Sequence, residues 1–158
     1  MHVSPVAIAA GCEEILLAAV RLEEAYRYAL EATRGTSYVA TYRALARTYS
    51  RKRPEELLGD LVATTPGDEW KWFATAKELC LFDEAILRAN QGPCDPKTLT
   101  RAARDFADRR PAFAVEAGAA ALRWLVEGRG YEISGADVWA AYTSTMKAAE
   151  QAGWAGAG

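Results

Sequence analysis

Apolar residues recur along this chain at intervals of three and four, the spacing of one face of an α-helix. No window keeps a period of two, and no Asn-Gly or Asp-Gly hairpin turn occurs, so strands are not expected. A first long helix is expected over residues 12–33, with Ile15, Ala19, Leu22, Tyr26 and Ala29 on its inward stripe and Gly35 as its C-terminal cap. Leu16, Leu17 and Val20 widen that stripe beyond one face. A second helix from Ser37 carries Tyr38, Tyr42, Leu45 and Tyr49 and ends in Arg51-Lys52-Arg53.

Pro54 opens a third helix at a position where a missing N–H costs nothing, and Leu57, Leu58, Leu61 and Val62 form its apolar side. Residues 68–80 read as a fourth helix with Trp72, Phe73, Ala76 and Leu79 inward; Phe82, Ala85, Ile86 and Ala89 line a fifth. Asp95-Pro96 is an N-cap followed by a first-turn proline, opening a sixth helix with Leu99, Ala102, Ala103 and Phe106 on one side. Pro111 opens a seventh, where Gly118 and Ala121 invite close helix approach, and Ser134 with Asp137 forms a capping-box start for an eighth over residues 135–152.

Helix starts near residues 37, 68, 95 and 134 recur at about 30–40 residues, the period of an α-solenoid. Leu81-Phe82-Asp83-Glu84-Ala85-Ile86, with Ala89 and Asp95-Pro96, resembles the second helix of a tetratricopeptide repeat, and Leu22-Glu23-Glu24-Ala25-Tyr26 with Ala29 resembles it again. The first-helix pattern departs from that family: Trp70 or Trp72 stands for its aromatic, and the Leu-Gly pair is missing. The chain is also similar to the C-terminal part of longer uncharacterised bacterial helical-repeat proteins, which implies no activity. The resemblance implies an all-α fold, an α-α superhelix of stacked antiparallel helix pairs. The alternative is an irregular bundle of seven to eight helices. Residues 1–11 are expected to be disordered or folded back, residues 12–152 to form a single helical-repeat domain, and residues 153–158 to be a flexible tail.

Composition narrows the chemistry. The chain has 158 residues, 51% of them hydrophobic and 25% charged, as in one ordinary globular domain. Its net charge of −2 supplies no global field for nucleic acid or an anionic membrane. No apolar run approaches the roughly 20 residues that cross a bilayer, and residues 3–12 lack a basic flank and carry Pro5, so a cytoplasmic protein is expected. Cys12, Cys80 and Cys94 are odd in number with no CxxC spacing, which argues for free thiols.

His2 is the sole histidine, which removes histidine general-base catalysis and most zinc chemistry. The acidic pairs Glu13/Glu14, Glu23/Glu24, Glu55/Glu56 and Asp83/Glu84 are adjacent in sequence, so their members diverge by about 100° on a helix. No catalytic site, metal or cofactor is expected.

A protein or peptide partner is therefore expected, held in a helical groove by a scaffold or adaptor. The alternative is nucleic acid or another polyanion, bound through two basic stretches at residues 43–53 and 97–110. The first presents Arg43, Arg47 and Arg51 at four-residue steps, then Lys52 and Arg53; the second includes Lys97, Arg101, Arg104, Arg109 and Arg110. Trp70 and Trp72 lie 200° apart on a helix, so one of them, with Trp70 as the candidate, faces solvent or a partner. Trp124 and Trp139 are expected in the core or at a contact between repeats. Leu16, Leu17 and Val20 are the expected interface through which the first helix forms a homodimer or docks onto a partner.

Overall fold

Proline and serine set where the helices begin. In a computed structural model describing residues 4–18, 21–32 and 38–154, the Ser4 hydroxyl accepts the Ala7 N–H at 3.1 Å, and Pro5 takes the first helical position. Helix α1 therefore runs Pro5–Ala18, followed by α2 (Leu22–Ala32), α3 (Tyr38–Thr48) and α4 (Pro54–Ala63). A 3-10 turn, Glu69–Trp72, leads into α5 (Phe73–Glu78); α6 (Phe82–Asn90), α7 (Pro96–Phe106), α8 (Pro111–Val126) and α9 (Gly135–Gln151) follow. The protein is all-α, with no strand among the described residues.

The chain divides into two compact units, Met1–Gly67 and Asp68–Gly158, where one domain over residues 12–152 is expected from the sequence. In the first unit α1 packs on α2 and α3 packs on α4. Its core is Ala25, Tyr26, Ala29, Tyr42, Leu45, Tyr49, Leu57, Leu58, Leu61 and Val62. Two buried tyrosines tie it together: Tyr26 donates to Asp60 at 2.6 Å and Tyr49 to Glu13 at 2.8 Å, and their rings meet edge to face at 5.1 Å.

The expected first helix of residues 12–33 is thus two helices, and residues 1–11, expected to be disordered or folded back, contain the start of α1 at Pro5. A continuous helix would leave Leu16 and Leu17 bare on its far side. Packing α1 against α2 half-buries both, closed by the Arg21 N–H to the Leu16 carbonyl at 2.9 Å. Ile15, expected inward, is 70% exposed instead. Ala19, Val20, Gly35 and Ser37 lie outside the described residues.

The second unit is built on alanine. Ala76, Ala85, Ala89, Ala102, Ala103, Ala114, Ala117, Ala121, Ala141 and Ala148 are all fully buried, which lets helix axes approach closely. Helix α8 is central, packing on α6, α7 and α9. At Gly118 an added Cβ would strike the Thr145 side chain of α9, so only glycine admits that crossing. Phe73, Phe82, Phe106 and Phe113, the chain's four phenylalanines, form one aromatic cluster with centroids 4.8–6.3 Å apart. Trp124 donates its indole N–H to the Ala89 carbonyl at 2.9 Å, pinning α8 to the end of α6.

The expected start signals at Pro54, Asp95-Pro96, Pro111 and Ser134 all open helices. The fourth helix is shorter than expected: it begins as a 3-10 turn and stops where Cys80 adopts φ 60°, with Leu81 N–H bonded to the Ala76 carbonyl at 2.9 Å. At the other end of the unit, Gly153 (φ 78°) and Trp154, whose N–H reaches the Ala149 carbonyl at 2.8 Å, cap α9 rather than beginning a tail. Residues 155–158 of that expected tail lie outside the described residues.

Candidate interaction surfaces

The first basic stretch is uninterrupted by acids in sequence, but folding brings acids to it. Arg43, Arg47, Arg51 and Arg53 are exposed, while Lys52 is half-buried over the Tyr26 ring at 4.5 Å. The Lys52 ammonium reaches Glu23 at 3.3 Å and Glu56 at 3.5 Å. Burial pulls its pKa down, but the hydrogen bonds and charges of Glu23 and Glu56 outweigh that and hold it above the ordinary lysine value. Arg51 and Lys52 share the wall of a 730 Å³ open cavity with Arg21, Glu23, Glu24 and Glu56. Three cations face three carboxylates there, so the cavity lining is balanced in charge, while Arg43, Arg47 and Arg53 lie outside it.

The second basic stretch belongs to the second unit and is organised differently. Lys97, Thr100, Arg101 and Arg104 follow at three- and four-residue steps on α7 and line one cleft of 170 Å³. Pro96, Leu125 and Ala140 supply its apolar wall, and Asp137 its one carboxylate. That carboxylate accepts from the Ser134 N–H at 2.8 Å and the Ser134 hydroxyl at 3.0 Å. The Ser134 N–H is the main cause of its lowered pKa, so it stays ionised. Arg104 touches its neighbour Asp105 at 3.1 Å, whereas Arg101 makes no ion pair among the described residues. Arg109 and Arg110 leave this group, stacking on Phe106 and Phe82 at 5.0 and 4.9 Å.

Tryptophan placement reverses part of the expectation. Trp72 is buried, as one of the pair must be, but Trp70 is half-buried with its ring against Gly92 and the Lys71 ammonium 5.4 Å away. Trp70 therefore holds the 3-10 turn against the end of α6. Trp124 is buried, but Trp139, expected in the core or between repeats, is 66% exposed. The reason is its place on α9: Ala141 and Ala148 face the neighbouring helices, and Trp139 points away from them.

Val138, Trp139, Tyr142 and Met146 are all exposed and span about 100° of the helix circumference, with Trp139 and Tyr142 stacked at 5.6 Å. This apolar strip is missed by a reading that assigns large apolar residues to cores by type. The signal was present: α9 carries one stripe of alanines and a second of bulky residues beside it.

On α1, Leu16 and Leu17 are half-buried, and the exposed large apolar residues are Val6, Ile8 and Ile15. The three thiols are free, with Cys12 half-buried, Cys80 exposed and Cys94 buried. Burial, and then the charge of Asp95, push the Cys94 thiol up to about 12, which leaves it inert as a nucleophile. Among the described residues no group of three or more His, Cys, Asp or Glu side chains is placed to hold a metal, and no helix is long and apolar enough to cross a membrane. No family model matches the chain, and no curated protein or solved structure matches it either.

Proposed function

We propose that this chain is a non-catalytic interaction module of the helical-repeat kind, acting in the cytoplasm and binding a protein or peptide through the outer face of α9. The observation that carries this reading is the strip Val138, Trp139, Tyr142 and Met146, bare on a helix whose other side is locked by Gly118 and the buried alanines. Stacked aromatic rings on a rigid support are the residues that form the centre of protein interfaces. Contiguous apolar surface of this kind is uncommon where nothing binds. The scarcity of acid–base chemistry in the sequence supports a binding role over an enzymatic one. Self-association through α1 belongs to the same reading, with Ile8 and Ile15 rather than Leu16 and Leu17 as the contact residues.

The test compares the wild type with Trp139→Glu/Tyr142→Glu and, separately, Ile8→Glu/Ile15→Glu. Affinity capture at low and high salt and sedimentation velocity are the readouts. The α9 variant keeps its melting temperature and loses a salt-resistant partner; the α1 variant loses any self-association. Capture of the same proteins by wild type and α9 variant would overturn the reading.

A further inference from the structure

The cleft beside α7 combines cationic head groups, a hydroxyl and apolar walls within a small volume. Lys97, Arg101 and Arg104 bring three positive charges and Thr100 a hydroxyl donor, all from one helix face. Asp137 removes one charge, and its carboxylate is already turned to the start of its own helix by two hydrogen bonds from Ser134. Asp105, 3.1 Å from Arg104 Nε, answers a second cation, while Arg101, with no acidic partner among the described residues, leaves its planar fork unspent. Buried Pro96 and half-buried Leu125 form an apolar wall on one side of these charges, which strengthens their field.

We propose that this cleft binds one phosphate monoester group carried by a small soluble molecule. The free guanidinium fork of Arg101 can grip two phosphate oxygens side by side, with Lys97 and Thr100 next to it on the same helix face. A tetrahedral group with three terminal oxygens also uses donors that converge from several side chains. The 170 Å³ volume is that of a single head group and not a track for a strand. In the other basic stretch, in the first unit, Lys52 is answered by Glu23 and Glu56. This inference does not rest on the α9 reading.

The full chain is titrated at constant ionic strength with glycerol 2-phosphate, inorganic phosphate, acetate and, separately, a single-stranded oligonucleotide. Calorimetry and backbone amide shifts are the readouts. The expected result is one saturable site for the two phosphates, with shifts confined to residues 96–104 and 134–140, and weaker binding of acetate. Arg101 is exposed, so Arg101→Gln keeps the melting temperature and weakens phosphate binding by about tenfold or more. Arg101→Lys, which keeps the charge and loses the fork, falls between; it decides the matter should the glutamine variant fold poorly. The proposal is overturned by lack of saturation in the millimolar range, by acetate binding as well as phosphate, or by undiminished binding in both Arg101 variants. It is equally overturned by an oligonucleotide that binds tighter than the monoester.

Discussion

At the scale of single residues, the second unit depends on places where one side chain is either tolerated or forbidden. Cys80 sits at φ 60° at the end of α5, a position that normally falls to glycine because a Cβ is crowded there. Cys80→Gly removes that crowding at an exposed site, so we expect it to raise stability by about 1 kcal/mol in denaturant titration. A lower midpoint would show that the thiol side chain contributes more than the backbone strain costs.

Gly118 is the opposite case. An alanine methyl there would collide with Thr145 Oγ1 and Cβ and lie 3.2 Å from the Thr145 Cα. Gly118→Ala is expected to cost about 1–3 kcal/mol by overpacking. Thr145→Ala in the same chain should recover part of that loss, because it removes the clashing hydroxyl. Strict additivity of the two changes in a double-mutant cycle would mean that α8 and α9 do not cross there.

At the scale of elements, the first unit is joined by polar ties beneath an apolar surface. Tyr26 of α2 reaches Asp60 of α4, and Tyr49, just after α3, reaches Glu13 of α1. Burial first, and then the carboxylate partner, push both phenols well above the ordinary tyrosine value. The fold thus favours the neutral phenol. The stabilisation is complete below a pH of about 10, where an unfolded tyrosine begins to ionise, and is lost as pH rises beyond it.

Denaturant titrations from neutral to alkaline pH should show the first unit weakening above that point. Tyr26→Phe and Tyr49→Phe are each expected to cost about 1 kcal/mol at neutral pH and to flatten the alkaline decline. An alkaline slope unchanged in both variants would place the ionising group elsewhere.

At the scale of the whole molecule, the division at Gly67 has a direct spectroscopic consequence. All five tryptophans, from Trp70 to Trp154, lie in the second unit, so tryptophan fluorescence reports that unit alone. Helical circular dichroism reports both. If each unit unfolds as its own cooperative body, the two signals will not coincide, and dichroism will show a transition that fluorescence misses. Coincident curves in urea would show that the units unfold as one.

The one-dimensional pattern by itself determined the helical class, most helix starts and much of the core. Helix starts are local events: Pro54, Asp95-Pro96, Pro111 and Ser134 act on backbone groups within one turn, so their chemistry is visible without neighbours. Buried stripes such as Leu57, Leu58, Leu61 and Val62, or Ala85 with Ala89, follow from the same short-range periodicity. Even the start of α1 was legible, since Ser4-Pro5 is the same kind of signal; its short apolar stretch hid it.

Tertiary structure alone decided the rest. Lys52 looks free within its basic run until Glu23, 29 residues earlier, comes to meet it. Periodicity shows that α9 has two apolar stripes but not which one finds a neighbour. Gly118 admits Thr145, the alanine stripe goes inward behind it, and Trp139, Tyr142 and Met146 are left outside. Which side chains become surface is settled by contacts between residues far apart in sequence, and a pattern read along the chain does not contain those distances.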